Sequence, residues 1–378
     1  MLEKQKGLIV LEDFFKEAYQ YTYKNQEDLL LQPFAEYEGV GATSLVWIYD
    51  GNDRYLLKKV NENEYTWLGE LLSNKIAKFL HRPCATYRLA TLEGKKVILS
   101  KDFLKEKETL ILGVQIVQEV LNHYPYAKDN KIFSDEKFLE LYAVPKNILG
   151  FDATLKNKYL HNNLNNLEQM WSILSLYCDL KKIPSDLIPS LMGSLTQTFL
   201  FDVYTFQADR HIQNWGFIQE KKGEQILLKP NILFDQAASF GLYNKDLDKR
   251  IKDVYDRLHI YQKFQTEKAK ENFINILYKD RLLLTPSEDA IINAKSRKRQ
   301  NNLQVFSYFL EVSSSEMRQK VEEEIEALEQ HGMTNFLKEI MEENEITIDP
   351  NVVQYLETTF SYHLFYLKEK VKKYQRSR

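Results

Sequence analysis

The chain has 378 residues, 44% hydrophobic and 28% charged, the profile of a soluble globular protein long enough for two or three domains or one two-lobed enzyme. Lys and Arg number 51 against 54 Asp and Glu, and the formal net charge of −3 disfavours a protein that wraps nucleic acid by charge, so no direct nucleic-acid partner is expected. Two cysteines, Cys84 and Cys178, exclude a disulfide scaffold or a Cys-rich zinc module and read as buried thiols of a reducing, cytoplasmic compartment, while no apolar run approaches the ~20 residues of a membrane span.

Residues 1–33 are expected to form a helical extension centred on Glu12–Lys24, and the apolar run Leu8–Leu11 is too short for a signal peptide. Residues 34–104 read as a small lobe with an antiparallel sheet. Ser44–Asp50 and Arg54–Val60 are strands joined by Gly51-Asn52-Asp53, with apolar and β-branched content from Val46, Ile48, Leu56 and Val60. A helix follows from about Tyr65 to Leu80, with Leu68, Leu72, Ile76 and Phe79 on one face. Ala85–Thr91 and Lys95–Lys101 form a second strand pair closed by Glu93-Gly94.

From about Lys105 to the end the pattern predicts a larger, mainly helical lobe. Twelve of the 13 glycines fall at or before Gly241, and a helical back third needs little glycine punctuation. Leu164–Leu180 and Asp186–Gln207 are the long helical segments, and Asn214–Gln219 with Gln225–Leu228 is a hairpin across Lys222-Gly223. Thr285-Pro286-Ser287-Glu288 and Ser313-Ser314-Ser315-Glu316 are capping boxes. The second opens a helix striped by Met317, Val321, Ile325 and Leu328 and ended by Gly332. Asp349-Pro350 opens a last helix striped by Val353, Leu356, Phe360, Leu364, Leu367 and Val371. The basic runs Lys295–Arg299 and Lys368–Arg376 read as solvated helix faces.

The string that carries chemistry is Ala208-Asp209-Arg210-His211-Ile212-Gln213-Asn214-Trp215-Gly216, followed by Leu233-Phe234-Asp235 in an apolar run. Phosphoryl transfer needs a carboxylate to orient or deprotonate the attacking hydroxyl and oxygen ligands for Mg²⁺ on the phosphates. An Asp, an Asn five residues later and an Asp on the next hairpin supply these, and Mg²⁺ prefers few protein ligands beside phosphates and waters. Upstream, Glu38-Gly39-Val40-Gly41-Ala42-Thr43-Ser44 precedes a strand, and small residues there let backbone N–H groups approach phosphates. Lys58 on the next strand can reach the α- and β-phosphates, and Glu70 on the following helix can pair with it.

Singly, each has an ordinary reading. Gly39-x-Gly41 is a turn, Lys58 a solvent-facing strand lysine (Lys59 taking its place after a one-residue slip), Glu70 a solvated helix residue, and His211 either a phosphate contact or a hydrogen-bonder within its loop. The order of the set points to kinase-type nucleotide chemistry, with ATP and Mg²⁺ as cofactors.

Asp209-Arg210-His211-x-x-Asn214, with Phe234-Asp235 downstream, resembles the HipA-like kinases and, more distantly, the phosphatidylinositol 3/4-kinases. Asn214-Trp215-Gly216-Phe217 and Val97–Phe103 are most similar to the compact HipA-like kinases, and the resemblance spans roughly residues 36–240. It implies an α+β, bilobal protein-kinase-like fold. It implies Asp209 as catalytic carboxylate, Asn214 and Asp235 as Mg²⁺ ligands, Lys58 as the ATP lysine, and Ser100, Lys101, Asp102 and Phe103 as the adenine hinge. It also implies Ser/Thr kinase activity on a protein substrate, with aminoacyl-tRNA synthetases as candidate targets, an antitoxin partner, and self-phosphorylation of the Gly39–Ser44 loop at Ser44 or Thr43. Two other readings compete. A lipid kinase would want a basic segment after Asp235, where the first basic cluster is Lys245–Lys252. A silent nucleotide-binding scaffold would have no need of both metal ligands.

Overall fold

Alternation along Asp53–Lys59 sends Tyr55 and Leu57 to one face of a strand and Lys58 to the other, and the larger sheet is built around this strand. The structure, a computed structural model, describes residues 7–11, 32–33, 45–50, 53–60, 65–123, 167–210, 214–223, 225–230, 232–243, 247–261, 306–307, 309–311 and 313–376. The chain divides into two units, one of Met1–Phe103, Asp235–Phe273 and Glu326–Leu364, the other of Leu104–Phe234, Ile274–Ile325 and Phe365–Arg378.

In the first unit the strands β1 (Ile9–Val10), β2 (Gln32–Pro33), β3 (Leu45–Asp50), β4 (Asp53–Lys59), β5 (Thr86–Leu92) and β6 (Lys95–Lys101) form one sheet in the order β1-β5-β6-β4-β3-β2. Every pairing is antiparallel except that of β1 with β5. The β5–β6 hairpin closes on Glu93 (φ 55°) and Gly94 (φ 71°), both left-handed as a two-residue type I′ turn requires. One face buries Ile9, Leu11, Ile48, Tyr55, Leu57, Ala90, Val97 and Leu99 together. Helix α1 (Thr66–Phe79) buries Leu68, Leu72 and Ile76 and packs on β5 and β6.

The second unit holds a smaller antiparallel sheet, β7 (Glu108–Leu112), β8 (Gly216–Lys222) and β9 (Gln225–Lys229) in that order, with α2 (Gly113–His123), α3 (Leu167–Lys181) and α4 (Ile188–Thr205). Helix α2 packs on α3, and α3 on α4. The helices α5 (Leu247–Tyr261), α6 (Ser315–Asn344) and α7 (Pro350–Arg376) complete the described chain.

The strand and helix expectations over residues 45–101 hold to within a residue or two, as does α4. Helix α3 is described from Leu167, three residues after its expected start, and β8 runs to Lys222, three residues past its expected end at Gln219. Of the two capping expectations on described residues, that at Asp349-Pro350 holds, and the other is shifted by one: the cap is Ser314 rather than Ser313, whose hydroxyl donates to the Phe309 carbonyl, and Glu316 stands at the second helical position. Ser314 Oγ accepts the Met317 amide at 3.1 Å, and an Asp349 carboxylate oxygen accepts that of Asn351 at 2.8 Å.

Four expectations need correction. Helical pattern was expected from about Lys105 on, yet Glu108–Leu112 is a strand, because pairing with β8 satisfies its backbone along the whole run. Gly332 does not end its helix. It adopts φ 75° and ψ 153° as a kink inside α6, after which Met333, Phe336, Leu337 and Ile340 resume the buried stripe. In α7 the buried stripe starts at Val352 rather than Val353, and Cys84 is half-buried rather than buried, whereas Cys178 is buried and burial pushes its thiol up to about 11. The Glu12–Lys24 helix and the capping box at Thr285 lie outside the described residues. Among the described residues, no helix is long and apolar enough to cross a membrane.

Candidate active site

Strand alternation and register decide which lysine can work with α1. Lys58 pairs across the sheet with Ile98, on the face that carries Leu89 and Tyr87 and that α1 covers, while Lys59 is exposed. The Lys58 ammonium lies 3.0 Å from Glu70 Oε1 and 2.9 Å from Asp235 Oδ1. Burial works against its charge, but the carboxylates of Asp235 and Glu70 outweigh burial and hold the ammonium well above its ordinary value. Glu70 is 1% exposed. Burial pushes its carboxyl up, with the Lys58 ammonium and the Gln236 amide pulling against burial and the Asp235 charge adding to it.

The segment after Asp235 is fastened to the same helix. Glu70 spends its second oxygen, Oε2, on the backbone N–H of Gln236 at 2.9 Å. One residue earlier, a Cβ on Gly69 would stand 2.9 Å from the carbonyl oxygen of Ala237, so only glycine lets the helix backbone come this close. Asp235 itself is left-handed, with φ 55°. Its backbone N–H donates to the Tyr87 hydroxyl at 2.9 Å, and the Lys58 ammonium lies 5.8 Å from the centre of the Tyr87 ring. Burial, with the Glu70 charge beside it, holds the Tyr87 phenol well above its ordinary value, so it stays protonated.

In the second unit the Asp209 loop is shaped by the end of α4. Phe206 caps the helix in the left-handed conformation (φ 52°, ψ 36°), and the backbone N–H groups of Phe206 and Gln207 both return to the Asp202 carbonyl. Arg210 is 5% exposed and meets the Asp202 carboxylate with two parallel bonds, Nε to Oδ2 at 2.9 Å and Nη2 to Oδ1 at 2.8 Å. Its Nη1 donates to the carbonyls of Phe234, at 3.1 Å, and of Asn214. Asn214 is buried and its Nδ2 donates to the Asp209 carbonyl at 2.7 Å, which leaves Oδ1 as the amide's acceptor face. Asp209 is exposed.

A buried carboxylate left without its guanidinium is strongly destabilising, so Arg210→Met is expected to cost about 3–5 kcal/mol of stability in urea unfolding. The double change Asp202→Leu/Arg210→Met is expected to recover most of that loss, because no charge is then left buried alone.

Of the residues singled out in the sequence, Lys58, Glu70 and Asp235 meet in the first unit, and Asp209 and Asn214 meet in the second. Ser100 and Lys101 end β6, the Asp102 carboxylate holds the Arg54 guanidinium (2.8 Å to Nε), and Phe103 is half-buried. Gly39, Gly41, Thr43, Ser44 and His211 lie outside the described residues. Sequence reasoning missed Tyr87, Gly69, Gln236 and the Asp202–Arg210 pair. Alternation along β5 could have put Tyr87 on the face of Lys58, and Asp202 and Arg210 are only eight residues apart but are joined across the irregular end of α4; the Gly69 and Gln236 contacts join residues too far apart in the chain to leave a local pattern.

No protein-family model matches the chain, and no curated protein matches it in sequence. Among solved structures the chain is similar to the proinflammatory kinase CtkA of Helicobacter pylori, with a TM-score of 0.56 at 14% identity over 91% of this chain and 96% of that one. It overlaps more loosely with HipA of Shewanella oneidensis MR-1, solved with HipB and operator DNA, at a TM-score of 0.43 and 11% identity over 94% of this chain and 71% of that one. The α+β fold is therefore kinase-like, with an antiparallel-dominated sheet and a mostly helical C-terminal region.

Proposed function

We propose that this chain is an ATP- and Mg²⁺-dependent protein kinase of the HipA-like type, transferring the γ-phosphoryl group of ATP to a Ser or Thr hydroxyl. The observation that carries the reading is the Lys58 ammonium held between Glu70 and Asp235 at 3.0 and 2.9 Å. A lysine so held is fixed, charged and available to the α- and β-phosphates. Asp209 takes the acceptor side: its carboxylate orients the hydroxyl and receives the proton as that oxygen bonds to the γ-phosphorus and the bond to ADP breaks. Ser100–Phe103 would line the adenine, and the Gly39–Ser44 loop and His211 the phosphates.

The donor set suits Mg²⁺. The Asn214 amide oxygen and the Asp235 carboxylate are hard oxygen ligands, and the Asn214 amide is oriented by its own bond to Asp209. When bound, Mg²⁺ neutralises charge on the β- and γ-phosphates.

Two observations favour a protein acceptor over a lipid: the first basic cluster after Asp235 begins only at Lys245, and the fold likeness is to a compact bacterial kinase. The test is incubation with labelled ATP and Mg²⁺, in parallel with bacterial lysate proteins and with phosphatidylinositol vesicles. Label on Ser or Thr of a protein, absent in Asp209→Ala, supports the reading. Label in lipid alone overturns the acceptor class, and nucleotide binding with no transfer to either makes the chain a scaffold.

A further inference from the structure

Asp235 is the one described residue in the Lys58 cluster with a left-handed backbone, at φ 55°. Asp enters this conformation more readily than most residues with a Cβ, but still prefers negative φ, so contacts with the surroundings are what hold it there. Two side chains from different elements do so here, each by accepting a backbone N–H. Glu70 on α1 takes that of Gln236, and Tyr87 on β5 takes that of Asp235 itself, both at 2.9 Å. Tyr87 is 6% exposed, and its strand pairs it with Ser100 of β6, so the hydroxyl has little freedom to move. The Asp235 carboxylate, by contrast, is 38% exposed. The amide is tethered inside, while the acid group, which meets the Lys58 ammonium through Oδ1, keeps part of its surface open.

We propose that Tyr87 is a positioning residue: its hydroxyl holds the Asp235 amide and thereby fixes the left-handed turn that aims the Asp235 carboxylate at a divalent cation bound with the nucleotide. This rests on the kinase reading above and extends it to a residue outside the set of Lys, Glu, Asn and Asp. Without the hydroxyl, φ at Asp235 is free to relax to negative values, and the carboxylate no longer stands where the metal needs it. The ring would remain in place, so packing against the sheet is kept. The consequence is specific to the metal. Nucleotide affinity that depends on Mg²⁺ falls, and affinity without Mg²⁺ does not.

Tyr87→Phe in the full chain tests this, read by binding of a fluorescent ATP analogue in Mg²⁺ and in EDTA. Binding in Mg²⁺ is expected to weaken about tenfold, the effect of losing one hydrogen bond to a buried donor. Binding in EDTA is expected to stay at the wild-type value, while the urea midpoint falls by no more than the loss of that one hydrogen bond accounts for. A packing role alone would shift the urea midpoint and leave the ratio between Mg²⁺ and EDTA unchanged, and that result overturns the proposal. Wild-type protein supplies a second measurement that needs no variant to fold: the Asp235 amide should exchange with solvent at least about tenfold slower than an unbonded amide. Exchange at the unbonded rate overturns the proposal. If the wild type shows no Mg²⁺-supported binding, the kinase reading fails and the aimed carboxylate fails with it, even where the amide is protected.

Discussion

Lys58→Met is expected to lower phosphoryl transfer by about 10²–10³-fold, the scale of losing one fixed electrostatic contact to the phosphates of the bound nucleotide. Lys59→Met is expected to stay within about twofold of wild type, as a surface substitution does. The two residues are neighbours on β4, but only Lys58 reaches Glu70 and Asp235. Removing its ammonium also leaves Glu70, at 1% exposure, without a cation, so part of the loss should appear as weaker nucleotide binding. Turnover and nucleotide affinity of both variants are the measurement. Comparable losses from the two, or a larger one at Lys59, would move the assignment by one residue.

Asp209 and Asp235 are expected to fail in different ways. Asp209→Ala should retain most nucleotide affinity and lose about 10²–10⁴-fold in transfer if its carboxylate serves the acceptor hydroxyl as proposed. Substitution of Asp235 should abolish the Mg²⁺-dependent part of nucleotide binding if Asp235 is the charged metal ligand of that proposal. Asn is the better replacement there. Asp235 sits at φ 55°, which Asn tolerates and Ala does not, so Asp235→Ala mixes backbone relaxation with ligand loss. The check is a pair of titrations, nucleotide binding against Mg²⁺ and initial rate against ATP. Full transfer activity in Asp209→Ala would remove that residue from the chemistry.

Strands β3 to β6 and helix α1 were legible because their signals are local. β6 was read to the residue as Lys95–Lys101, since Glu93-Gly94 supplies the left-handed pair that a two-residue hairpin needs. β7 was not legible. Its five residues, Glu108–Leu112, follow a charged stretch, and their partner β8 lies about a hundred residues on. The kinase-like fold could be anticipated from the order of a few polar residues, but the fastening of the site could not. The Tyr87 hydroxyl meets an amide 148 residues away, and Gly69 faces the backbone of Ala237. Such contacts arise only when the sheet and α1 are assembled. The choice between Lys58 and Lys59 has the same origin: alternation separates them, and only the packed helix tells which face matters.

Glu70 gives one oxygen to the Lys58 ammonium and the other to the Gln236 amide. A carboxylate shared in this way turns two bonds into one event. If α1 rotates or retreats, both are lost together: the Gln236 amide loses its Glu70 acceptor at the same moment that the Lys58 ammonium is left to Asp235 alone. A small displacement therefore forfeits both contacts before it reaches solvent or a new partner. At this end α1 behaves as a latch with two settings, not as a dial, and anything that grades the output of the molecule must act on parts that can move by degrees.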